Sequence, residues 1–508
     1  MDFLQCLYHN YSFNKLLQSV DCDFGILPQI QGYSRRHVAK KTHFKKRSFE
    51  ERYTKHTCAC GDAFNDTTVP KAANHTFTDG VCSCGVSEAM LAALIFTELE
   101  DSVHLTKCDT AFEGEMVIPA YYNGKPVTYI GAFSFRQCAG ITSVTMPETV
   151  TEIGQEAFSL CSSLAEINFS DNITTFGKYA FSSCTALTSI KLPKNLVIMK
   201  TDAFFSCTGL ITTTYENCNY LGSEENPYLV LYSLADTSVT SYTIHPDTKV
   251  IYDYVFKHNK RTDFNTVEIP EGVTCVGDEA FNVHSFFKVN SVPSSLLYIG
   301  NDCFNKAGNG YMYNYSYKNS YYLGNDENKF LILMSGTVSN NGYVVNENTK
   351  FIYDYAFQDK YELQSITMHD DIISIGKHAF HNCYKLQNVE LPSSITELRE
   401  YTFYMDRSYS QQFRMDYIVI PESVNYMDWN VFESWTRWGM DVFFEGTETQ
   451  WSLIDIDKLY NNSFANACVS YLSEKEPALN ADSTDYNGSY WYYSEGTPTK
   501  WIYTPDAE

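Results

Sequence analysis

A 23-residue interval limits this chain more than any other feature. Phe135, Phe158, Phe181 and Phe204 follow one another at that spacing, and Cys138, Cys161, Cys184 and Cys207 keep step three residues later. Two adjacent segments, IGQEAFSLCSSLAEINFSDNITT from Ile153 and FGKYAFSSCTALTSIKLPKNLVI from Phe176, are near-copies. A unit this short cannot bury its own apolar face, so it must stack on its neighbours in a one-dimensional array.

Within the second unit, Ala180 and Phe181 fit a helical turn that buries the ring. Leu187, Ile190 and Leu192 then alternate with Ser189 and Lys191, as on a strand with one buried face. Pro193 ends that strand, where a missing donor is tolerated. A period of 20–29 residues with a Leu-x-x-Ile-x-Leu core predicts an α/β solenoid of leucine-rich repeats, parallel strands alternating with short helical turns. Units start at Ile130, Ile153, Phe176, Met199, Ile251, Val276, Ile299, Ile352, Ile375 and Leu398, with a degenerate one near Met427.

This reading divides the chain into a poorly ordered basic segment 1–52, a Cys/His module 53–86 and an N-terminal cap 87–129. The solenoid follows over 130–440, then a β-rich C-terminal cap and tail over 441–508. Two matching insertions, near 219–250 and 322–351, each begin Tyr-Leu-Gly and precede IYDYVF or IYDYAF. They read as hairpins protruding from one coil, with strands at Tyr228 to Tyr232 and Phe330 to Met334. Trp451 is expected to cover the last coil.

The chain has 16 cysteines. One that recurs once per coil, with Cys383 in the same place after Phe380, fits a packed column of small apolar residues. A disulfide framework would need a partner for each. The module 53–86 is different. His56, Cys58, Cys60, His75, Cys82 and Cys84 are candidate metal ligands in two similar pieces, KHTCACG and NHTFTDGVCSCG. A single residue between paired thiols strains a tetrahedral zinc bite. Metal, disulfides and free-thiol turns therefore all stay open, and no cofactor is expected.

The net charge of −24 argues against a nucleic-acid partner, which needs clustered Lys and Arg. The one basic run, Arg35 to Arg47, fits a solvated linker. No stretch approaches the ~18–20 apolar residues of a transmembrane segment; the best is Ala89 to Phe96. The first residues lack the basic start and apolar core of a secretory signal, so either the protein is not exported by that route or the signal lies upstream of a mis-called start. The sequence contains no G-x-S-x-G, H-E-x-x-H or phosphate-binding glycine loop. His245, His258, His284, His369, His378 and His381 fall in loops or turns, and the pair His378/His381 has no evident third ligand. Asp370 and Asp371 fit solvated loop residues. The chain reads as not an enzyme.

The outward strand positions are the candidate partner-binding residues: Ser143, Thr145, Glu166, Asn168, Ser189, Lys191, Thr266, Glu268, Ser365, Thr367, Asn388 and Glu390. They are small and polar. Some ten strands at ~4.8 Å would form a face on the order of 50 Å long, the scale of a protein or glycan polymer.

The motif I-G-x-x-A-F-x-x-C-x-x-L-x-x-I-x-L-P, best seen in IGQEAFSLCSSLAEINF, FGKYAFSSCTALTSIKLP and IGKHAFHNCYKLQNVELP, resembles the BspA-type leucine-rich repeats of bacterial surface proteins. The EGTETQW and GSYWYYSEGTPTKW endings and the NHTFTDGVCSCG module are similar to such proteins from gut Firmicutes. The resemblance spans about Thr54 to Trp501. It implies an extracellular or cell-surface protein that adheres to a host or microbial protein or glycan, and it carries over no catalytic residue. The chain departs from the family in showing no wall anchor. A second expectation, from another class, is the targeting array of a secreted hydrolase whose catalytic part lies elsewhere. Oligomeric state is not set by the sequence.

Overall fold

The computed structural model describes residues 77–502 apart from 79, 83, 260, 285–286, 305–312, 407–414, 433–439, 457–468 and 481–484. All belong to one compact unit, Lys55–Glu508. The basic segment 1–52 and the candidate ligands His56, Cys58, Cys60 and His75 lie outside the described residues.

A complete coil, such as that from Ile130 to Glu152, closes three ladders of backbone hydrogen bonds on the next. A longer strand, such as Ile141–Thr145, pairs in parallel with Glu166–Asn168, placing Ser143 beside Glu166 and Thr145 beside Asn168. A two-residue strand forms the second ladder: Glu152–Ile153, Thr175–Phe176 and Ile198–Met199 run in register. The turn between them forms the third. Glu156, Phe158 and Leu160 donate their amides to Lys178, Ala180 and Ser182 of the next coil at 2.7–2.8 Å. The intervening Ala157, Ser159 and Cys161 bond back three residues at 3.1–3.3 Å. A regular helix would turn every amide inward. Left-handed φ at Glu156 (48°) and Leu160 (65°) points alternate amides outward. That conformation costs about 1–2 kcal/mol per residue, and the inter-coil bonds and ring burial offset it.

The phenylalanine of each turn stacks on the next. Ring centroids are 4.7 Å apart for Phe135–Phe158 and 5.3 Å for both Phe158–Phe181 and Phe181–Phe204, all near parallel. The stack continues through Phe357, Phe380 and Phe403. Each contact contributes about 0.5–1.5 kcal/mol beyond burial. The glycine before the turn is a steric requirement: a Cβ on Gly177 would lie 2.5 Å from the Gly154 carbonyl carbon. The cysteine column is buried and its thiols are free. It does more than fill space, because Cys161, Cys184, Cys207 and Cys383 each donate to the phenylalanine carbonyl one coil back, at 3.1–3.2 Å.

The insertions do not protrude as expected. Cys218–Leu221 and Val230–Leu234 do form an antiparallel pair. The return strand, however, is itself a rung of the solenoid, parallel to Val250–Ile251. Ile332–Ser335 joins Phe351–Ile352 in the same way. What the inserted coil lacks is the turn's row of carbonyls. Side chains of the following IYDY motif replace them. Asp202 and Phe204 donate to Asp253 Oδ2 (2.6 Å) and the Tyr252 hydroxyl (2.9 Å). Asp302 and Phe304 repeat this with Asp354 Oδ2 (2.6 Å) and Tyr353 (2.9 Å). The other carboxylate oxygens reach forward, accepting from Asp278 at 2.6 Å and Lys377 at 2.9 Å.

At the N-terminal end, Leu94–Glu98 and Val103–Cys108 pair antiparallel, and the second of these strands begins the parallel short-strand ladder through Lys125–Ile130. At the other end the long-strand ladder passes through Asp441–Phe444 and Val469–Leu472 to a hairpin of Tyr490–Ser494 and Thr497–Lys500. Trp451 packs edge-on against Phe444 at 5.1 Å.

Candidate functional site

The long-strand ladder alternates as a half-buried sheet does. Ile167, Ile366 and Val389 are buried, and the flanking Glu166, Asn168, Ser365, Thr367, Asn388 and Glu390 are exposed. Thr145 is exposed and Ser143 half-buried. Ser189, Lys191, Thr266 and Glu268 are exposed but outside regular strands, Thr266 making an isolated bridge to Lys288.

The single face of some ten strands is therefore divided. One patch comprises Gly114–Val117, Ile141–Thr145 and Glu166–Asn168; the other starts at Gly342–Val344 and continues through Ser365–Thr367 and Asn388–Glu390 to Tyr417–Ile420 and Asp441–Phe444. The coils between carry the insertions, whose acidic turns lie along this edge. Gly222 accepts from the Leu192 amide at 3.0 Å, Glu224 pairs with Lys191, and Asn325 donates to the Val292 carbonyl at 2.8 Å. Lys191 is thus engaged within the chain.

The second patch ends in features that periodicity did not single out. Val419 and Phe443, on its outward side, are covered by Trp491, whose indole donates to the Phe444 carbonyl at 2.9 Å. Beside this cluster, the Tyr417 hydroxyl donates to Glu390 Oε1 (3.4 Å) and that of Tyr493 to Glu445 Oε1 (3.2 Å). Although Glu390 reaches the surface, partial desolvation holds both carboxyls above their ordinary value, against the opposing pull of the tyrosine hydroxyls. Tyr417 lies 29 residues after Asn388, its partner in the ladder, a lengthened coil that breaks the 23-residue count. The register Asn388↔Tyr417 would have placed it.

Behind the sheet, coils distant in sequence meet at the short-strand ladder. Lys200 pairs with Glu397 at 2.7 Å, Arg399 donates to the same carboxylate at 2.9 Å, and Lys178 reaches Asp428 at 3.4 Å. Burial raises the Glu397 carboxyl, but the two cations outweigh it and hold it down to about 2. A cavity of about 40 Å³ lies here, lined by residues that include the charged Glu152, Lys178, Lys200 and Arg399. It has room for roughly three waters and not for a metabolite.

The histidines engage local partners. His284 and His369 meet the carbonyls of Phe264 (2.8 Å) and Asn346 (3.0 Å). His245 stacks on Tyr228, and His378 lies between the rings of Tyr355 and Tyr401, with its Nδ1 3.1 Å from that of His381. His258 is exposed. Asp370 is more than a solvated loop residue, since its Oδ1 accepts the Ser393 amide one coil on, at 2.9 Å. Cys82 is buried, Cys84 is half-buried, and the Cys84 amide approaches Cys82 Sγ at 3.5 Å. Among the described residues, no three His, Cys, Asp or Glu side chains are grouped to hold a metal ion. None of their helices is long and apolar enough to cross a membrane.

Several solved structures are similar. A leucine-rich cell surface protein from Faecalibacterium prausnitzii shares 23% identity over 76% of this chain and 99% of its own, with a TM-score of 0.27. A leucine-rich repeat protein from Bacteroides capillosus shares 33% over 24% of this chain and 91% of its own (TM-score 0.22). One from Bacteroides ovatus shares 16% over 75% and 98% (TM-score 0.23). No curated protein matches. The family described as BspA type Leucine rich repeat region matches in six copies, over residues 109–225, 229–325 and 336–437. These stretches cover more than half of the chain, and the protein belongs to the BspA-type leucine-rich-repeat family.

Proposed function

We propose that this protein is a non-catalytic binding protein whose long-strand face engages a macromolecule, a host or microbial protein or glycan, at the cell surface. The observation that carries the reading is the second patch. Its exposed Ser365, Thr367, Asn388 and Glu390 stand on strands whose alternate residues are buried. Polar side chains fixed on a rigid sheet form a pre-organised surface, which lowers the ordering cost of binding. The polar, weakly charged composition, with 19% charged residues and 39 tyrosines, supports an extracellular setting. Family membership supports a role in macromolecular recognition.

Measuring binding to immobilised matrix proteins and to a glycan array tests this. Replacing Ser365, Thr367 and Asn388 together by lysine should weaken the strongest interaction at least tenfold while leaving the thermal midpoint within a few degrees. Binding that survives the replacement would place the site elsewhere. Intact cells treated with an impermeant biotin reagent should label the protein; labelling only after lysis would overturn the surface location.

A further inference from the structure

The second patch does not end flat. Trp491 covers Val419 and Phe443, and at the edge of that cover stand two like pairs, Tyr417–Glu390 and Tyr493–Glu445. Tyr493 is 43% exposed. Its ring is held from behind by Trp491, edge-on at 4.9 Å, and its hydroxyl is tethered to Glu445. The ring is therefore a positioned aromatic surface rather than a free side chain. Each tyrosine hydroxyl uses Oε1 of its glutamate, leaving Oε2 for a donor from a ligand.

We propose that this step is a binding site for a neutral polysaccharide, an inference that rests on the reading of the long-strand face as a macromolecular surface. A sugar ring offers an apolar C–H face and a rim of hydroxyl donors. The first suits an exposed tyrosine ring, and the second suits a carboxylate oxygen. The strand of Glu390 and the strand leading into Glu445 are two rungs apart in the ladder, about 10 Å. Two tyrosine-bonded carboxylates at that separation, one of them beside an exposed ring, match a polymer of sugars better than a single small molecule. Asn388, on the strand of Glu390, and Ser365 and Thr367, on the rung beside it, extend the line of hydrogen-bonding groups.

Charge selects among glycans. Glu422 and Asp370 add to the field at Glu445, and Glu390 acts on both Glu445 and Tyr493. Lys500, on the terminal hairpin, is paired with Asp441 at 2.7 Å. An anionic polymer would meet repulsion here. A basic peptide would gain less from these carboxyls than from solvated ones, because desolvation disfavours their charged form and a tyrosine hydroxyl already occupies one oxygen of each.

Affinity electrophoresis of the full chain in native gels tests the site. The gels are cast with galactomannan, xyloglucan or polygalacturonate, and a poly-lysine peptide is titrated separately. At least one neutral polymer should retard the protein and polygalacturonate should not. Tyr493→Ala and Glu390→Gln should each weaken retardation about tenfold, a loss of about 1.4 kcal/mol, with unchanged circular dichroism. Thr145→Ala, in the other patch, should have no effect. Retardation indifferent to both substitutions, equal retardation by polygalacturonate, binding of poly-lysine alone, or no retardation by either neutral polymer would each overturn the proposal. The broader surface reading would survive all four if the Ser365/Thr367/Asn388 variant still lost its macromolecular ligand.

Discussion

Cys161 shows how a single side chain serves the stack. It is fully buried, donates to the Phe135 carbonyl at 3.1 Å, and burial, with Cys138 nearby, pushes its thiol up to about 12. At pH 8 it should resist iodoacetamide in the folded protein and react in urea, as read by mass spectrometry; alkylation without denaturant would contradict the packing. Cys161→Ala removes a hydrogen bond and leaves a small void, so it should cost about 1–3 kcal/mol. Asp354 shows burial acting on a carboxyl. Burial raises its carboxyl to about 7, with Asp302 adding to the rise while Arg399 and Lys377 oppose it. The folded state thus holds this proton more tightly than the unfolded chain, where the ordinary value is 3.8. The stabilisation is complete below the unfolded value and is lost as pH rises through about 7. Urea midpoints should therefore fall between pH 5 and 8, and less steeply in Asp354→Asn. Parallel slopes would show that another group dominates.

At the scale of the coil, the question is how a repeat tolerates an insertion. An added strand extends the short-strand ladder readily, since it needs only backbone. The turn is harder, because its outward amides require acceptors in the next coil. Tyr252, Asp253, Tyr353 and Asp354 supply them from side chains. Tyr353→Phe should strand the Phe304 amide, now bonded at 2.9 Å, and cost about 1–3 kcal/mol. Hydrogen exchange should show the loss at Phe304 first; an unchanged Phe304 amide would mean that it has another acceptor. Gly177→Ala tests the regular coil, where a Cβ has no room against Gly154. Overpacking of this kind costs about 1–3 kcal/mol, visible as a lowered thermal midpoint.

Across the whole unit, stability is not purely a nearest-neighbour sum. Lys200, Glu397 and Arg399 join coils that are 197 residues apart, and Lys178 and Asp428 join coils 250 apart. Glu397→Gln would leave buried Arg399 and half-buried Lys200 without their shared carboxylate. Breaking such a network typically costs about 3–5 kcal/mol. Protection should drop both near Lys200 and near Arg399; a loss confined to one of them would mean that the contact does not couple the coils.

Much of this could be read from the sequence. The period, the buried Phe and Cys columns and the inward–outward split of Glu166, Asn168, Ser365 and Asn388 follow from spacing and alternation, because stacking repeats the same local contacts. Tyr417 and Tyr493 were not legible in this way. One follows a lengthened coil and the other lies in the tail, so neither shares the repeat's count. The sequence by itself determined the unit and its stacking, since local interactions at a fixed interval leave no other way to bury the rings. The tertiary structure decided where the outward face is interrupted, which side chains bridge the insertions and which distant charges meet. Those outcomes depend on the path of the whole ladder, and a repeat identical in each coil does not encode that path.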